Sequence, residues 1–360
     1  MKQRFLPQTF LILTYLATVI LPSEAHEYDG SRPDGHAPIM VMGDHTHSAG
    51  EWMVSVRHMR MNMEGMRSSE TNRSSQEVFS ANYTVTPANM AMDMTMIGLM
   101  NAPNDKVTLM AMIPYIDTEM DHEIFPMAAP LIALNNGSRQ FTTRSSGWGD
   151  LKIAGLFPFH RSKEARAHFG LGVSLPTGSI GETDLIPGPG GRLSRQMPAP
   201  MQLGSGTVDL MPSVTYVRQK ESWSFGWQAR AIARLDENHH NYRLGNQIDV
   251  SSWISTNLSS QFSLSGRLRY NRAGEMKGTQ SDIGFNPPFA PSRRTVTTAF
   301  SENYGGQRID AAIGLNFTAT EGSLKGNRFA IELSAPIMED LNGYQLSTKS
   351  IVTAGWQLAW

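Results

Sequence analysis

Cysteine is absent from this sequence, and long apolar runs are absent once the first 25 residues are passed. Without cysteine, neither disulfides nor thiolate metal sites are available. The later apolar runs fall short of the roughly 20 residues that a membrane helix needs, which excludes a helical membrane protein. An excess of one charge sign is missing too. The formal net charge is −1, which argues against a nucleic-acid partner.

The first 25 residues have the pattern of a cleaved secretory signal. Lys2 and Arg4 precede an apolar stretch that ends in small residues just before His26. We therefore expect a signal peptide at 1–25. The remaining chain is too long for one ordinary soluble core, yet no Pro/Ser linker or composition break divides it. One large barrel fits both observations.

Alternation of apolar and polar residues predicts an all-β chain. The final strand is the clearest case, because its even positions are apolar and its last residue is aromatic, as in strands that close transmembrane β-barrels. Those even positions are Val352, Ala354, Trp356, Leu358 and Trp360. The predicted strands are 51–63, 88–100, 106–118, 147–159, 166–176, 206–218, 222–235, 246–258, 260–271, 307–318, 327–336 and 347–360. We therefore expect an antiparallel transmembrane β-barrel of about 12 strands.

The predicted connections alternate between long and short, as those on the outer and periplasmic sides of such barrels do. The long ones are 64–87, 119–146, 177–205 and 272–306. With an even number of strands, both termini of the barrel chain lie on the short-turn side. The predicted barrel is 50–360, and a Met- and His-containing segment at 26–49 begins in the periplasm or tucks into the barrel mouth.

Each predicted strand has one apolar and one polar face. The apolar sets, such as Phe169 with Leu171 and Ile313 with Leu315, are expected to face lipid. The alternate positions are expected to line a polar lumen and to contact a solute, with salt-bridged filling as the simpler interpretation. These candidate lumen residues are Asp150, Lys152, Asp209, Arg230, Arg234, Asp249, Arg267, Arg269, Arg308, Asp310 and Glu332.

Methionine is the only biased residue, and sixteen of the 22 fall between Met40 and Met127. Thioether and imidazole groups are the ligands left for Cu(I) or Ag(I) when cysteine is missing. Methionine is also a flexible hydrophobe that packs without metal. We expect Met90 to Met96 to lie on the lipid face and two other sets to point inward. The inward sets are Met59, Met61 and Met63, and Met110 and Met112.

The densest mixed ligand set lies ahead of the first strand, in a segment that Gly43 and its polar neighbours predict to be a loop. Met40, Met42, His45 and His47 are the candidate ligands for one soft or borderline ion. The inward methionines are further candidates, because thioethers spaced two residues apart on a strand share a face.

Catalytic motifs are missing from the sequence: there is no nucleophile elbow, His-Glu-x-x-His zinc motif or phosphate-binding loop. His160 and His168 lie near serines, as in lipases built on barrels, but no third orienting group accompanies them. We therefore expect no enzyme and treat a lipid-acting enzyme as a third hypothesis.

Three short motifs carry a resemblance to a known family. The segments 146–151 (SGWGDL), 175–178 (LPTG) and 204–210 (GSGTVDL) resemble the outer-membrane transporters named for the meta-pathway of phenol degradation. That family is similar to fatty-acid and aromatic-hydrocarbon channels, which implies passive uptake of small, often hydrophobic molecules. The segment 42–53 (MGDHTHSAGEWM) resembles a Met/His-rich subgroup found in metal-resistance contexts.

The first hypothesis is therefore a channel in the outer membrane of a Gram-negative bacterium that passes a small solute. Its expected partners are outer-membrane lipid, the solute and, through the C-terminal strand, the barrel-assembly machinery. The alternative is a Cu(I)- or Ag(I)-binding outer-membrane protein that uses the barrel as a scaffold.

Overall fold

The computed structural model describes residues 28–283, 287, 290 and 292–360; the predicted signal peptide lies outside them. The strands are β1 (Trp52–Ser69), β2 (Thr71–Arg73), β3 (Tyr83–Asn104), β4 (Val107–Ile124), β5 (Gln140–Trp148), β6 (Leu151–Arg161), β7 (Ala165–Leu175), β8 (Thr183–Gly188), β9 (Gly191–Gln196), β10 (Asp209–Gln219), β11 (Trp223–Arg234), β12 (Tyr242–Arg243), β13 (Gln247–Asn257), β14 (Phe262–Ala273), β15 (Lys277–Gly278), β16 (Arg294–Val296), β17 (Gly306–Thr318) and β18 (Asn327–Ala359). The α-helices of the described part are α1 (Ser75–Ser80) and α2 (Ala129–Leu134). Among the described residues, no helix combines the length and apolar character needed to cross a membrane.

Eleven of these strand ranges form a closed antiparallel barrel. Their order is β3-β1-β18-β17-β14-β13-β11-β10-β7-β6-β4, and pairing between β3 and β4 closes the ring. Closure leaves every barrel strand with two neighbours, so the backbone hydrogen bonds are satisfied without contact with water. The predicted all-β barrel is confirmed.

The last range, β18, doubles back and fills two places in the ring. Its first part pairs with β17 through 328–341, and its second part pairs with β1 through 341–359. The two parts lie side by side, because Arg328 Nη1 donates to Gln357 Oε1 at 2.6 Å. Gly343 has a φ of +54°, a value that favours glycine at a tight reversal. The barrel wall therefore contains about twelve strand segments, as predicted.

The outer surface of the barrel is apolar. Phe169 is 46% exposed, Leu171 51%, Ile313 56% and Leu315 39%, although a soluble protein would bury such side chains. Leu268, Ile331, Leu333 and Trp227 are exposed on the same surface. The faces predicted to contact lipid are therefore confirmed as outward-facing.

The barrel wall is taller on one side. Strands β1, β3 and β4 have 18, 22 and 18 residues, whereas β6, β7, β10 and β13 each have 11. The parts of 64–87 and 119–146 that were predicted as loops contain the ends of these tall strands. The prediction failed there because the outward side chains beyond the apolar band are polar, so no apolar alternation marks the strand.

Beyond the tall wall, short elements cover the long-loop end. Strand β5 pairs with β4, β8 pairs with β9, and β16 adds to β3 in a parallel arrangement. Helix α1 begins in a capping box in which Ser74 and Glu77 satisfy each other's backbone N–H groups. The opposite end of the barrel has short turns, such as 105–106 between β3 and β4.

Candidate functional site

Residues 28–51, which we call the plug, cross the lumen near its short-turn end. The plug reaches strands on opposite sides of the barrel, and its partners lie near the ends of strands that meet the short turns. The contacts are Ser263 Oγ to Pro33 O (2.9 Å), Arg328 Nη2 to Ala37 O (2.6 Å), Gln228 Nε2 to Met42 O (2.9 Å), His168 Nε2 with Gly43 O (2.8 Å), and His47 N to Thr108 Oγ1 (2.9 Å). These contacts place the plug in the barrel mouth, where it spans the lumen.

The plug brings together His36, Asp44, His45 and His47, which we call the plug cluster. His45 Nδ1 lies 2.9 Å from Asp44 Oδ1, and His36 Nδ1 lies 3.8 Å from Asp44 Oδ2. The ring of His45 contacts those of His36 and His47 edge-on, with centroids 4.7 and 4.9 Å apart. Asp44 Oδ2 also accepts from Ala37 N at 3.0 Å, which ties the two ends of the cluster together.

Burial controls the protonation of the plug cluster. Burial lowers the pKa of His36 to about 4, and the nearby Arg328 charge acts in the same direction. Burial likewise lowers the pKa of His47 to about 4, with help from His45. For Asp44, burial opposes the charge, but attraction to His45 and His36 and the hydrogen bond with His45 hold the pKa well below its usual value. At neutral pH His36 and His47 thus offer neutral imidazoles beside the Asp44 carboxylate, and imidazole and carboxylate groups are ligands that metal ions bind.

One side of the lumen is lined by methionine, and we call this surface the methionine wall. It is formed by the inward faces of β1, β3 and β4, which share the parity of buried Ser55, Gly98 and Thr108. Its members are Met53, Met59, Met61, Met63, Met90, Met92, Met94, Met96, Met100, Met110, Met112 and Met120. The prediction that Met90 to Met96 face lipid is wrong. Met90 and Met96 are buried, while Ile97 and Leu99, of opposite parity, are exposed outside.

The methionines form two groups along the lumen. Near the plug, Met53, Met100 and Met110 pack with Leu156, and a small cavity joins them to Asp44 and Arg57. Toward the long-loop end, buried Met90 and Met120 pack with two methionines from the connection after β9. That second group consists of Met63, Met90, Met92, Met120, Met197 and Met201.

The predicted metal ligands are therefore divided. His45 and His47 adjoin each other, and Met112 shares a cavity with Asp44. Met40 points elsewhere in the plug region, because its sulfur accepts a hydrogen bond from Thr353 Oγ1 at 2.8 Å. Met63 lies in the distant group. The structure thus does not gather all the predicted ligands around one ion.

The other side of the lumen, which we call the charged wall, is lined by ion pairs on β10, β11, β13, β14, β17 and β18. Arg267 donates to Glu332 at 2.5 Å, and both side chains are buried. Arg269 bridges Asp249 at 2.5 Å and Asp310 at 3.3 Å. Two further pairs are Arg308 with Asp310 and Arg234 with Asp209. Lys152 and Arg230 form no ion pair within 4.0 Å among the residues described.

Asp150 has a different role from the other predicted lumen residues. Its carboxylate accepts from Gly178 N at 3.0 Å, Ser205 N at 2.8 Å and Ser205 Oγ at 2.9 Å. A side chain at Gly204 would collide with this carboxylate at 2.6 Å. The three sequence motifs at 146–151, 175–178 and 204–210 therefore meet at one structural junction where β6, β7 and β10 meet the long connections.

The sequence prediction of the site omitted His36 and Asp44 from the ligands, and Met197 and Met201 from the inward methionines. The inward orientation of β3 was readable from the sequence, because the alternation of Ile97 and Leu99 fixes the parity of the whole strand. Met197 and Met201 had no such signal, since only the folded connection brings them to Met120.

Comparisons with known proteins bear on the fold. No family model matches the sequence, and no curated protein matches it. Among solved structures, the chain resembles an outer-membrane channel from Pseudomonas putida F1, with 11% identity and a TM-score of 0.58, over 89% of this chain and 99% of that one. It also aligns with a FadL homologue from Pseudomonas aeruginosa at 9% identity and a TM-score of 0.36, covering 86% and 89% of the two chains. The first likeness supports the outer-membrane type of barrel.

Proposed function

We propose that this chain is a channel in the outer membrane of a Gram-negative bacterium that passes a small solute passively and without covalent chemistry. The observation that carries the proposal is the closed barrel with an apolar exterior and a lumen crossed by the plug. Lipid accommodates the exterior, because each barrel strand has both edges paired. The resemblance to a known outer-membrane channel supports the same function.

The plug determines what the channel can pass. It forms hydrogen bonds with β4, β7, β11, β14 and β18, so the short-turn end is constricted. The charged wall consists mostly of compensated ion pairs, which produce a weaker net field than unpaired charges of one sign would. We therefore propose that the solute is small and is selected by the constriction and the two walls together.

Single-channel conductance in a planar bilayer tests this function. The refolded chain starting at residue 28 is compared with a variant that lacks 28–47, and both are checked for heat-modifiable migration on gels. We expect small current steps from the chain that keeps the plug and larger ones from the variant that lacks 28–47. If both fold as barrels and neither conducts, the channel function is wrong.

A second candidate function is the binding of Cu(I) or Ag(I) by the methionine wall. The observation that favours it is the group of six methionines at the long-loop end, four of which are 4% exposed or less. Thioethers are soft ligands, and such a group presents several to one ion. Packing alone accounts for the same group if no ion binds.

Silver binding distinguishes a metal site from simple packing, because Ag(I) does not need a reductant. A variant with Met63, Met90, Met92 and Met120 each replaced by leucine keeps the side-chain volumes and removes four thioethers. We expect the wild type to bind Ag(I) and this variant to lose most of that binding. Replacement of exposed Met127 by leucine serves as the control. Equal binding by the wild type and the fourfold variant would show that the group only packs.

A further inference from the structure

The plug cluster has the arrangement of a metal site that lies apart from the methionine group. His36, Asp44 and His45 each offer one donor atom, and these atoms lie within 4.8 Å of one another. The cluster lies on a loop-like segment held inside the lumen, so the donors are shielded from bulk water. Small movements of the side chains would bring them to the distances at which an ion is coordinated.

Unsatisfied nitrogens are the second observation. His45 Nε2, His47 Nε2 and His36 Nδ1 are buried and have no hydrogen-bond partner among the described residues. His47 is only 6% exposed. Buried polar atoms are nearly always paired, so three unpaired imidazole nitrogens in one cluster call for a ligand. A cation bound by His36 and His45 satisfies two of these nitrogens, and the third, on His47, adjoins it.

Asp44 orders the cluster in the manner of metal sites. Its Oδ1 faces His45 Nδ1 at 2.9 Å, which fixes the ring and leaves Nε2 as the free donor. A carboxylate that orients an imidazole in this way also raises its basicity as a ligand. The assignment of hydrogen to Nδ1 follows from this contact.

The barrel holds the backbone on both sides of the cluster. Arg328 Nη2 donates to Ala37 O at 2.6 Å, next to His36, and His168 contacts Gly43 O at 2.8 Å, next to Asp44. Thr108 Oγ1 accepts from His47 N at 2.9 Å. The donors are thus placed by the folded barrel before any ion arrives, which lowers the cost of ordering the site.

We propose that the plug cluster binds one borderline divalent cation, represented by Cu(II), through His36, Asp44 and His45, with His47 adjoining the site. Imidazole and carboxylate ligands suit Cu(II) and other divalent ions, and Cu(II) binds most tightly of the first-row divalent ions. Thioethers instead select Cu(I), so this site differs in ion and location from the methionine group. The proposal does not depend on whether the channel conducts.

Titration with Cu(II), followed by electron paramagnetic resonance, tests the site on the refolded chain in detergent. The chain starts at residue 28, as in the conductance test, so that His26 and the α-amine beside it are absent. We expect one tightly bound ion per chain with imidazole nitrogen couplings in the pulsed spectrum. His36→Ala and His45→Ala should each weaken binding at least about tenfold.

Matched variants separate binding at the plug cluster from binding elsewhere on the chain. His160→Ala removes an exposed histidine and should leave binding unchanged, as should the double variant Met40→Leu/Met42→Leu. Heat-modifiable migration establishes that each variant folds. If the double variant His36→Ala/His45→Ala folds and binds Cu(II) as the wild type does, the proposal is wrong. A wild-type spectrum without imidazole couplings also overturns it, even if the variants fail to fold.

Discussion

The two walls of the lumen fill the same space with opposite chemistry. The methionine wall packs flexible thioether side chains against one another, as Met90 and Met120 do. The charged wall joins strands through directional pairs, such as Arg267 with Glu332. Flexible apolar contacts have no required geometry, whereas a buried ion pair fails when either partner is removed. The two walls should therefore respond differently to substitution.

The walls also differ in height. The strands of the methionine wall extend past the apolar band, where Arg60 pairs with Asp93 on the outer surface at 2.8 Å. The charged wall is built mainly from strands of 11 to 13 residues. The tall side thus extends toward the connections at the long-loop end, whereas the short side ends closer to the apolar band.

The largest loss of stability on substitution is expected in the charged wall. Glu332→Ala leaves the buried Arg267 without its partner, which should lower the free energy of unfolding by about 3–5 kcal/mol. Urea titration of the refolded barrel, followed by tryptophan fluorescence, measures the loss. The double variant Arg267→Met/Glu332→Leu removes both charges and should lose much less. A single variant as stable as the wild type would contradict the pairing.

The stability of the methionine wall should depend on the volume of its side chains and little on whether they contain sulfur. Met120 is 1% exposed, so Met120→Ala opens a cavity and should cost about 3 kcal/mol. Met120→Leu keeps the volume and should cost less than about 1.5 kcal/mol. The same urea titration compares the two. If leucine proved as destabilising as alanine, the methionine wall would require sulfur. It would then depend on specific partners, as the charged wall does.

The junction at Asp150 differs from both walls, because this carboxylate pairs with backbone and hydroxyl groups and not with a cation. Asp150→Ala removes hydrogen bonds from Gly178 and Ser205, and should cost about 2 kcal/mol. Because the junction joins long connections, limited proteolysis should also cut the 176–208 connection faster. Asp150→Asn retains part of the accepting capacity and should fall between the alanine variant and the wild type. Unchanged stability and proteolysis would mean that the junction is not needed for order.

The smallest loss of stability is expected on the outer surface of the methionine wall. Arg60 is 53% exposed and Asp93 is 31% exposed, so water and salt screen their pairing. Arg60→Ala should change the free energy of unfolding by less than about 1 kcal/mol. Measurement at low and high salt checks this, since the small difference should vanish at high salt. A loss as large as that of Glu332→Ala would show that exposure does not separate the two kinds of pair.

The sequence was sufficient for the barrel because lipid imposes a strict alternation. The predicted 222–235 and 246–258 correspond to β11 and β13 within one residue at each end. The same signal failed at Met90 to Met96. There the outward Asp93 and Thr95 lie beyond the apolar band, so the inward methionines are the more apolar set and were assigned to lipid.

The candidate site was predicted only in part, because its members meet through register and through the plug. His45 and His47 were identified by their spacing, but the contribution of His36 depends on how the plug turns back on itself. Met197 and Met201 join Met90 through a connection about 100 residues further along the chain. Contacts of this kind leave no local pattern in the sequence.

The seam between β1 and β18 has a consequence for the order of folding. Trp52 and Trp360 exchange backbone hydrogen bonds at 2.9 and 3.0 Å although they are more than 300 residues apart. Such non-local pairing makes closure a late and slow step. The plug directly precedes β1 in the sequence and lies inside the ring, so the ring encloses it when β1 pairs with β18. Closure of the seam is therefore also the step that encloses the plug.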